Sequence, residues 1–166
     1  MGGFYTEKTW LPIVAAQEEA LQFEKFDYDD ALIIGQKLIE KARQTYTKPI
    51  AVAIEIDNME VFLSMMPGTN AENRNWMRRK VNSSKRSGIS SLHLCLQVAY
   101  GVQNPDWLQR EEAYVACGGC WPVRVKGEAP FAYILVSGLE HQWDHQIIVD
   151  VLSDYLGVKT DAIDVK

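Results

Sequence analysis

Hydrophobic and polar positions along this chain follow two periods, and they divide it into segments. Between residues 31 and 42, Ala31, Ile34, Leu38 and Ala42 recur at helical spacing, with Leu32 and Ile33 widening the stripe. Asp27 stands where a helix cap belongs. Asp29 and Asp30 follow at the positive end, and Lys37, Lys41 and Arg43 lie toward the negative end. The clearest stripe is Ile147, Ile148, Val151, Leu152, Tyr155 and Leu156, closed by Gly157. A looser one, Leu11, Val14, Ala15 and Leu21, predicts a helix from Thr9 to Gln22, with Thr9 as cap and Pro12 in the first turn. A short extended segment is expected over Leu21 to Phe26.

Period two appears elsewhere. Ile50 to Ile56 reads as a strand, Asp57-Asn58 as a two-residue turn, and Val61 to Met66 as the returning strand. Cys120 to Lys126 and Phe131 to Ser137 read as a second pair joined through Gly127 and Pro130, with Pro122 placing the first at an edge or start. Ser90 to Tyr100 fits both periods; the helical face Leu92, Cys95, Leu96 and Ala99, capped by Ser90 or Ser91, is the reading adopted. Asn104-Pro105 predicts a short helix running to Gly118-Gly119. The last nine residues should be loosely held. Two hairpins without obligate parallel crossovers predict a layered α/β fold with a central antiparallel sheet flanked by helices. The 166 residues should form one domain, with its core at about residues 21–157.

Charge changes the picture at one place. Between Pro67 and Ser91 lie Arg74, Arg78, Arg79, Lys80, Lys85 and Arg86, and no acidic residue occurs between Glu72 and Asp106. The whole chain has a formal net charge of -5, which argues against general nucleic-acid binding. On a helix from about Glu72 to Ser87, stopped by Gly88, the residues Asn73, Trp76, Met77, Lys80, Val81 and Ser84 share one face. That mixture of amide, indole, ammonium and hydroxyl suits a site for an anionic ligand. A solvated face with salt bridges explains the charge run equally well.

Other candidates carry less. MGGFYTEKTW has no apolar signal run, and no stretch is long and apolar enough to span a bilayer, so a cytoplasmic location without membrane contact is expected. Cys95, Cys117 and Cys120 then read as reduced thiols. Cys117-Gly118-Gly119-Cys120 has the spacing of a redox pair but a helix before it and a strand after it. It reads better as a Gly-Gly loop whose amides face a ligand or a tight turn. It has no second pair with which to hold zinc, and no metal site is assigned. His141 and His145 would share a helical face. A capping or surface role is favoured over metal or haem ligation. His93 reads as a core or interface histidine, and Met65-Met66 as strand-end packing. No phosphate loop, nucleophile elbow or Ser-His-Asp order appears, so no catalytic set is assigned.

Several motifs in order resemble the HbpS/GlcG-like family of haem-degrading domain proteins, from Leu21 to Leu156. They are Phe26 with Asp30-Ala31-Leu32 and Gly35; Pro67-Gly68-Thr69; Asn73, Asn75-Trp76, Arg79-Lys80 and Asn82; Ser90-Ser91; Tyr114 and Gly118-Gly119; Pro122, Val125 and Gly127; and Val136-Ser137-Gly138-Leu139 with Asp144-His145. The resemblance implies a profilin- or Roadblock-like layered fold, a homo-oligomer, and haem as a possible ligand. Two departures stand out. Cys117 replaces the usual histidine before the glycine pair, and Glu140 replaces the usual proline.

The expectation is a small-ligand-binding protein for haem or another anionic molecule. The alternatives are a haem-degrading enzyme and a homo-oligomeric scaffold. The expected site joins Asn73, Trp76, Arg79 and Lys80 to Cys117, Gly118, Gly119, Asp144 and His145. Oligomerisation is expected from Trp107, Trp121 and Trp143, all placed near loops.

Overall fold

The computed structural model describes residues 3–165. In chain order it has α1 (Trp10–Ala20), β1 (Gln22–Phe23), α2 (Tyr28–Thr45), β2 (Ala51–Ile56), β3 (Met59–Met65), α3 (Ala71–Ser87) and α4 (Ser91–Ala99). Then come β4 (Cys120–Pro122), β5 (Arg124–Val125), β6 (Ala132–Ser137) and α5 (His141–Leu156). Strands β3, β2, β6 and β4 form an antiparallel sheet in that order. The expected α/β fold with a central antiparallel sheet is the observed one.

Strand β2 is covered on both faces. Ile50, Val52, Ile54 and Ile56 join a large apolar cluster with Ile34 and Leu38 of α2 and Ile148 and Leu152 of α5. Ala51 and Ala53 point the other way, to Met77 and Val81 of α3. The small side chains on that face let α3 lie close to the sheet. The β2–β3 turn has positive φ at both Asp57 and Asn58 (53° and 63°), the backbone that a two-residue hairpin with the native twist requires.

Five expectations need correction. Thr9 makes no side-chain capping bond, and α1 stops at Ala20, short of Gln22. The strand expected over Cys120 to Lys126 is split, because β5 leaves the sheet to pair in parallel with β1. Asn104-Pro105 starts only a single tight turn, Asp106–Gln109, and the chain from there to Gly118 is irregular. That stretch is held from outside: Arg78 and Arg79 donate to the carbonyls of Glu112 and Glu111, and Asn82 to that of Ala113.

The end of the chain is not loose. Ile163 is buried with Trp10, Val14, Leu92 and Leu96, the Ile163 amide donates to Gln146 Oε1, and the carbonyls of Asp161 and Asp164 accept from Gln17 and Trp10. Buried structure therefore extends on both sides of residues 21–157. Lastly, Trp121 is fully buried in the main core and is unavailable as an interface residue. Among the described residues, no helix is long and apolar enough to cross a membrane.

Candidate functional site

A surface cleft of about 450 Å³ lies where α3, the β6–α5 turn and the N-terminal segment meet. Asn73, Trp76 and Lys80 reach it from α3, Cys117 from the loop before β4, and Asp144 from α5. Local sequence explains the α3 contribution. Asn70 caps the helix and Asn73 returns the bond, which starts the helix with Asn73 facing Ser137 (Nδ2 to Oγ, 3.2 Å). One and two turns later the same face delivers Trp76, Met77 and Lys80.

The cleft floor is an ion pair. Lys80 Nζ lies 3.2 Å from Asp144 Oδ2 and 3.0 Å from the Val136 carbonyl, and both side chains are under 5% exposed. The other Asp144 oxygen accepts from the Leu139 amide at 2.9 Å. Burial pushes the Asp144 carboxyl up to about 6, against the pull of Lys80. Gly119 makes the packing possible. Its φ is 122°, and a Cβ there would lie 2.6 Å from Lys80 Nζ and inside contact with the Val136 carbonyl.

The remaining expected residues are not in the cleft lining. Arg79 stacks on Trp76, with its guanidinium carbon 5.0 Å from the ring centroid, and spends its donors on the carbonyls of Glu111 and Tyr114. The Gly118 amide faces His141 and donates to its Nδ1 at 2.9 Å. His145 is wholly buried against Trp121, bonds Gln17 Oε1 through Nε2, and burial pushes it down to about 3. The rest of the basic block is engaged too. Arg74 pairs with Glu60, Lys85 with Glu55, and Arg86 with Tyr114. Of the six cations only Lys80 lines the cleft.

Sequence reasoning missed Phe4, Tyr5, His141 and Gln142, which line the walls together with the turn at residues 137–140. Only His141 had a signal, its pairing with His145, for which a capping or surface role was favoured. It is in fact buried, and its state can be read from its partners. An amide N–H can only donate, so Nδ1 accepts. The Tyr5 carbonyl can only accept, so Nε2 carries the proton. Burial lowers the pKa of His141 and keeps it neutral.

This donor set does not suit an iron porphyrin. A neutral imidazole ligates through its unprotonated nitrogen, and in His141 that nitrogen is held by Gly118. His145 is outside the cleft. Burial pushes the Cys117 thiol up to about 11, so it is not a thiolate. Cys120 is pushed up to about 12, and both are free thiols, which leaves the C-x-x-C unsuited to redox exchange.

A family model described as haem-degrading protein HbpS-like matches residues 26–153. A UPF0303 protein of Mesorhizobium japonicum is 35% identical over 154 residues, 89% of each chain. Another, of Azotobacter vinelandii, is 35% identical over 159 residues, covering 92% of this chain and 93% of its own. This chain belongs to the HbpS-like family. Among solved structures, the Ybr137w protein superposes with a TM-score of 0.80 at 22% identity, covering 90% of this chain and 94% of its own. PduOC, solved as a haem complex, gives 0.66 at 16% identity, covering 84% and 99%. At these identities the two structures show the shared fold.

Proposed function

We propose that the protein binds a small, flat, partly apolar molecule in the cleft, held by the Trp76 ring and by hydrogen bonds and not by a bond to iron. One observation carries this reading. Three distant parts of the chain bring Asn73, Trp76, Lys80, Cys117 and Asp144 to one cleft of about 450 Å³, within the roughly 300–1,000 Å³ of small-molecule sites. Membership of the HbpS-like family and the fold shared with the PduOC haem complex make tetrapyrroles the first class to test.

The test compares hemin with iron-free protoporphyrin, following tryptophan fluorescence and the Soret band. Both should bind in the micromolar range, about -8 kcal/mol, within about threefold of each other, and Trp76→Ala should weaken both. A sharp one-to-one Soret shift with hemin alone, lost in His141→Ala or His145→Ala, would overturn binding without iron ligation. Absence of saturable binding by either compound removes the tetrapyrrole class.

A second property, self-association, is favoured by β3. It is an outer strand of the sheet, and Met59, Leu63 and Met65 are exposed on it.

A further inference from the structure

The N-terminal segment crosses the cleft. The Phe4 ring centroid lies 5.0 Å from that of His141 and 6.0 Å from that of Trp76, edge-on to the indole. One residue later the Tyr5 carbonyl accepts a hydrogen bond from His141 Nε2 at 2.6 Å. Both residues line the cleft, yet Phe4 is 38% exposed and Tyr5 48%. An aromatic ring followed by a carbonyl acceptor thus occupies the slot between Trp76 and His141.

One group in the wall is left unsatisfied. Gln142 is 2% exposed and lines the cleft, and its Oε1 is buried without a partner. The amide cannot be turned to relieve this. Its nitrogen donates to the Glu140 carboxylate at 2.9 Å, and a carboxylate oxygen would repel the amide oxygen. Two consecutive lining residues therefore carry a fixed donor, His141 Nε2, and a fixed, unmet acceptor, Gln142 Oε1. At this edge the Glu140 carboxylate accepts from Gln142, so a negative charge is disfavoured beside it.

We infer that Phe4 and Tyr5 are an internal occupant of the cleft, and that the ligand replacing them is a flat, uncharged heterocycle with a lactam- or amide-type edge. Its carbonyl takes the His141 Nε2 proton from the Tyr5 carbonyl. Its N–H supplies the donor that Gln142 Oε1 lacks, and its ring takes the place of Phe4. A buried acceptor discriminates strongly against a ligand without the matching donor, because that ligand leaves the acceptor unpaired. The inference rests on reading the cleft as a ligand site, and the test separates the two.

The probes are 2-quinolone and its N-methyl derivative, which keeps the ring and carbonyl but has no N–H. Calorimetry on the full chain should show 2-quinolone binding at least about tenfold tighter, with the difference gone in Gln142→Leu and in Gln142→Met. Phe4→Ala, at a part-exposed position, should keep the melting temperature and tighten 2-quinolone about tenfold by removing the competing ring. Equal binding of the two quinolones would overturn the acceptor role. Unchanged or weaker binding in Phe4→Ala would overturn the internal occupant. If iron-free protoporphyrin binds and neither quinolone does, the lactam class fails and the cleft remains a ligand site. If none of the three binds either the native chain or Phe4→Ala, both readings fail.

Discussion

Replacing Lys80 by methionine keeps most of the side-chain volume and removes the charge. Were Lys80 part of a solvated face, the alternative that the charge run allows, its loss would cost under about 0.5 kcal/mol. In the structure it is 2% exposed and bonded to Asp144 and to the Val136 carbonyl. Breaking a buried pair by removing one partner costs about 3–5 kcal/mol, because the other charge stays buried and uncompensated. For a chain of this size that lowers the melting temperature by about 6–20 °C. The remaining partner sets the pH dependence. The folded-state pKa of Asp144, about 6, lies above its ordinary 3.8. Its contribution to stability is therefore largest below the unfolded value and is lost as pH rises through about 6. Without Lys80 the carboxyl rises further, so the penalty in Lys80→Met should be larger at pH 8 than at pH 5. Asp144→Asn keeps an oxygen for the Leu139 amide, and the double variant should recover at least about 2 kcal/mol of the loss. Urea unfolding followed by tryptophan fluorescence measures all of this. A loss below about 1 kcal/mol, independent of pH, would refute the buried pair.

Three further outcomes are expected. Gly119→Ala should destabilise by more than about 2 kcal/mol, since it strains a residue at φ 122° and pushes on Lys80 and Val136; equal urea midpoints would contradict this. Cys95, Cys117 and Cys120, with thiols pushed up to about 12, 11 and 12, should react with a disulfide reagent at pH 8 only after unfolding; rapid labelling of the native protein would count against it. Light scattering at micromolar concentration should give at least twice the 18.8 kDa chain mass, and Leu63→Lys should lower it; a monomer at all concentrations removes the self-association reading.

What could be read from the sequence followed from local chemistry. The α3 residues Met77, Lys80, Val81 and Ser84 share one face as their spacing requires, Gly88 ends that helix in the left-handed region, and Asp57-Asn58 turns the hairpin. Long-range pairings had no local trace. Lys80 looks the same whether it faces water or Asp144, 64 residues away. Arg79 was expected at the ligand because Arg suits anions, but the backbone carbonyls of an irregular loop compete for the same donors. His145 falls on the helix face turned to the core, while His141, one turn earlier, reaches the cleft. Phe4 and Tyr5 belong to no periodic pattern. Ile163 is buried because Gln146 and Trp10 supply partners for the backbone around it, which composition cannot reveal.

The sheet order carries a consequence for the order of assembly during synthesis. Strand β2 is flanked by β3, which follows it at once, and by β6, in which Ala132 pairs with Ile56 and Ser137 with Ala51. As the chain leaves the ribosome, the β2–β3 hairpin is complete early. Its central strand keeps an open edge until α3, α4 and the irregular stretch up to β4 have emerged. Closing that edge requires the longest loop in the sheet and cannot happen before β6 is available. Through that interval Val52, Ile54 and Ile56 have α2 to pack against but not α5, and the part of their apolar surface that α5 takes stays open.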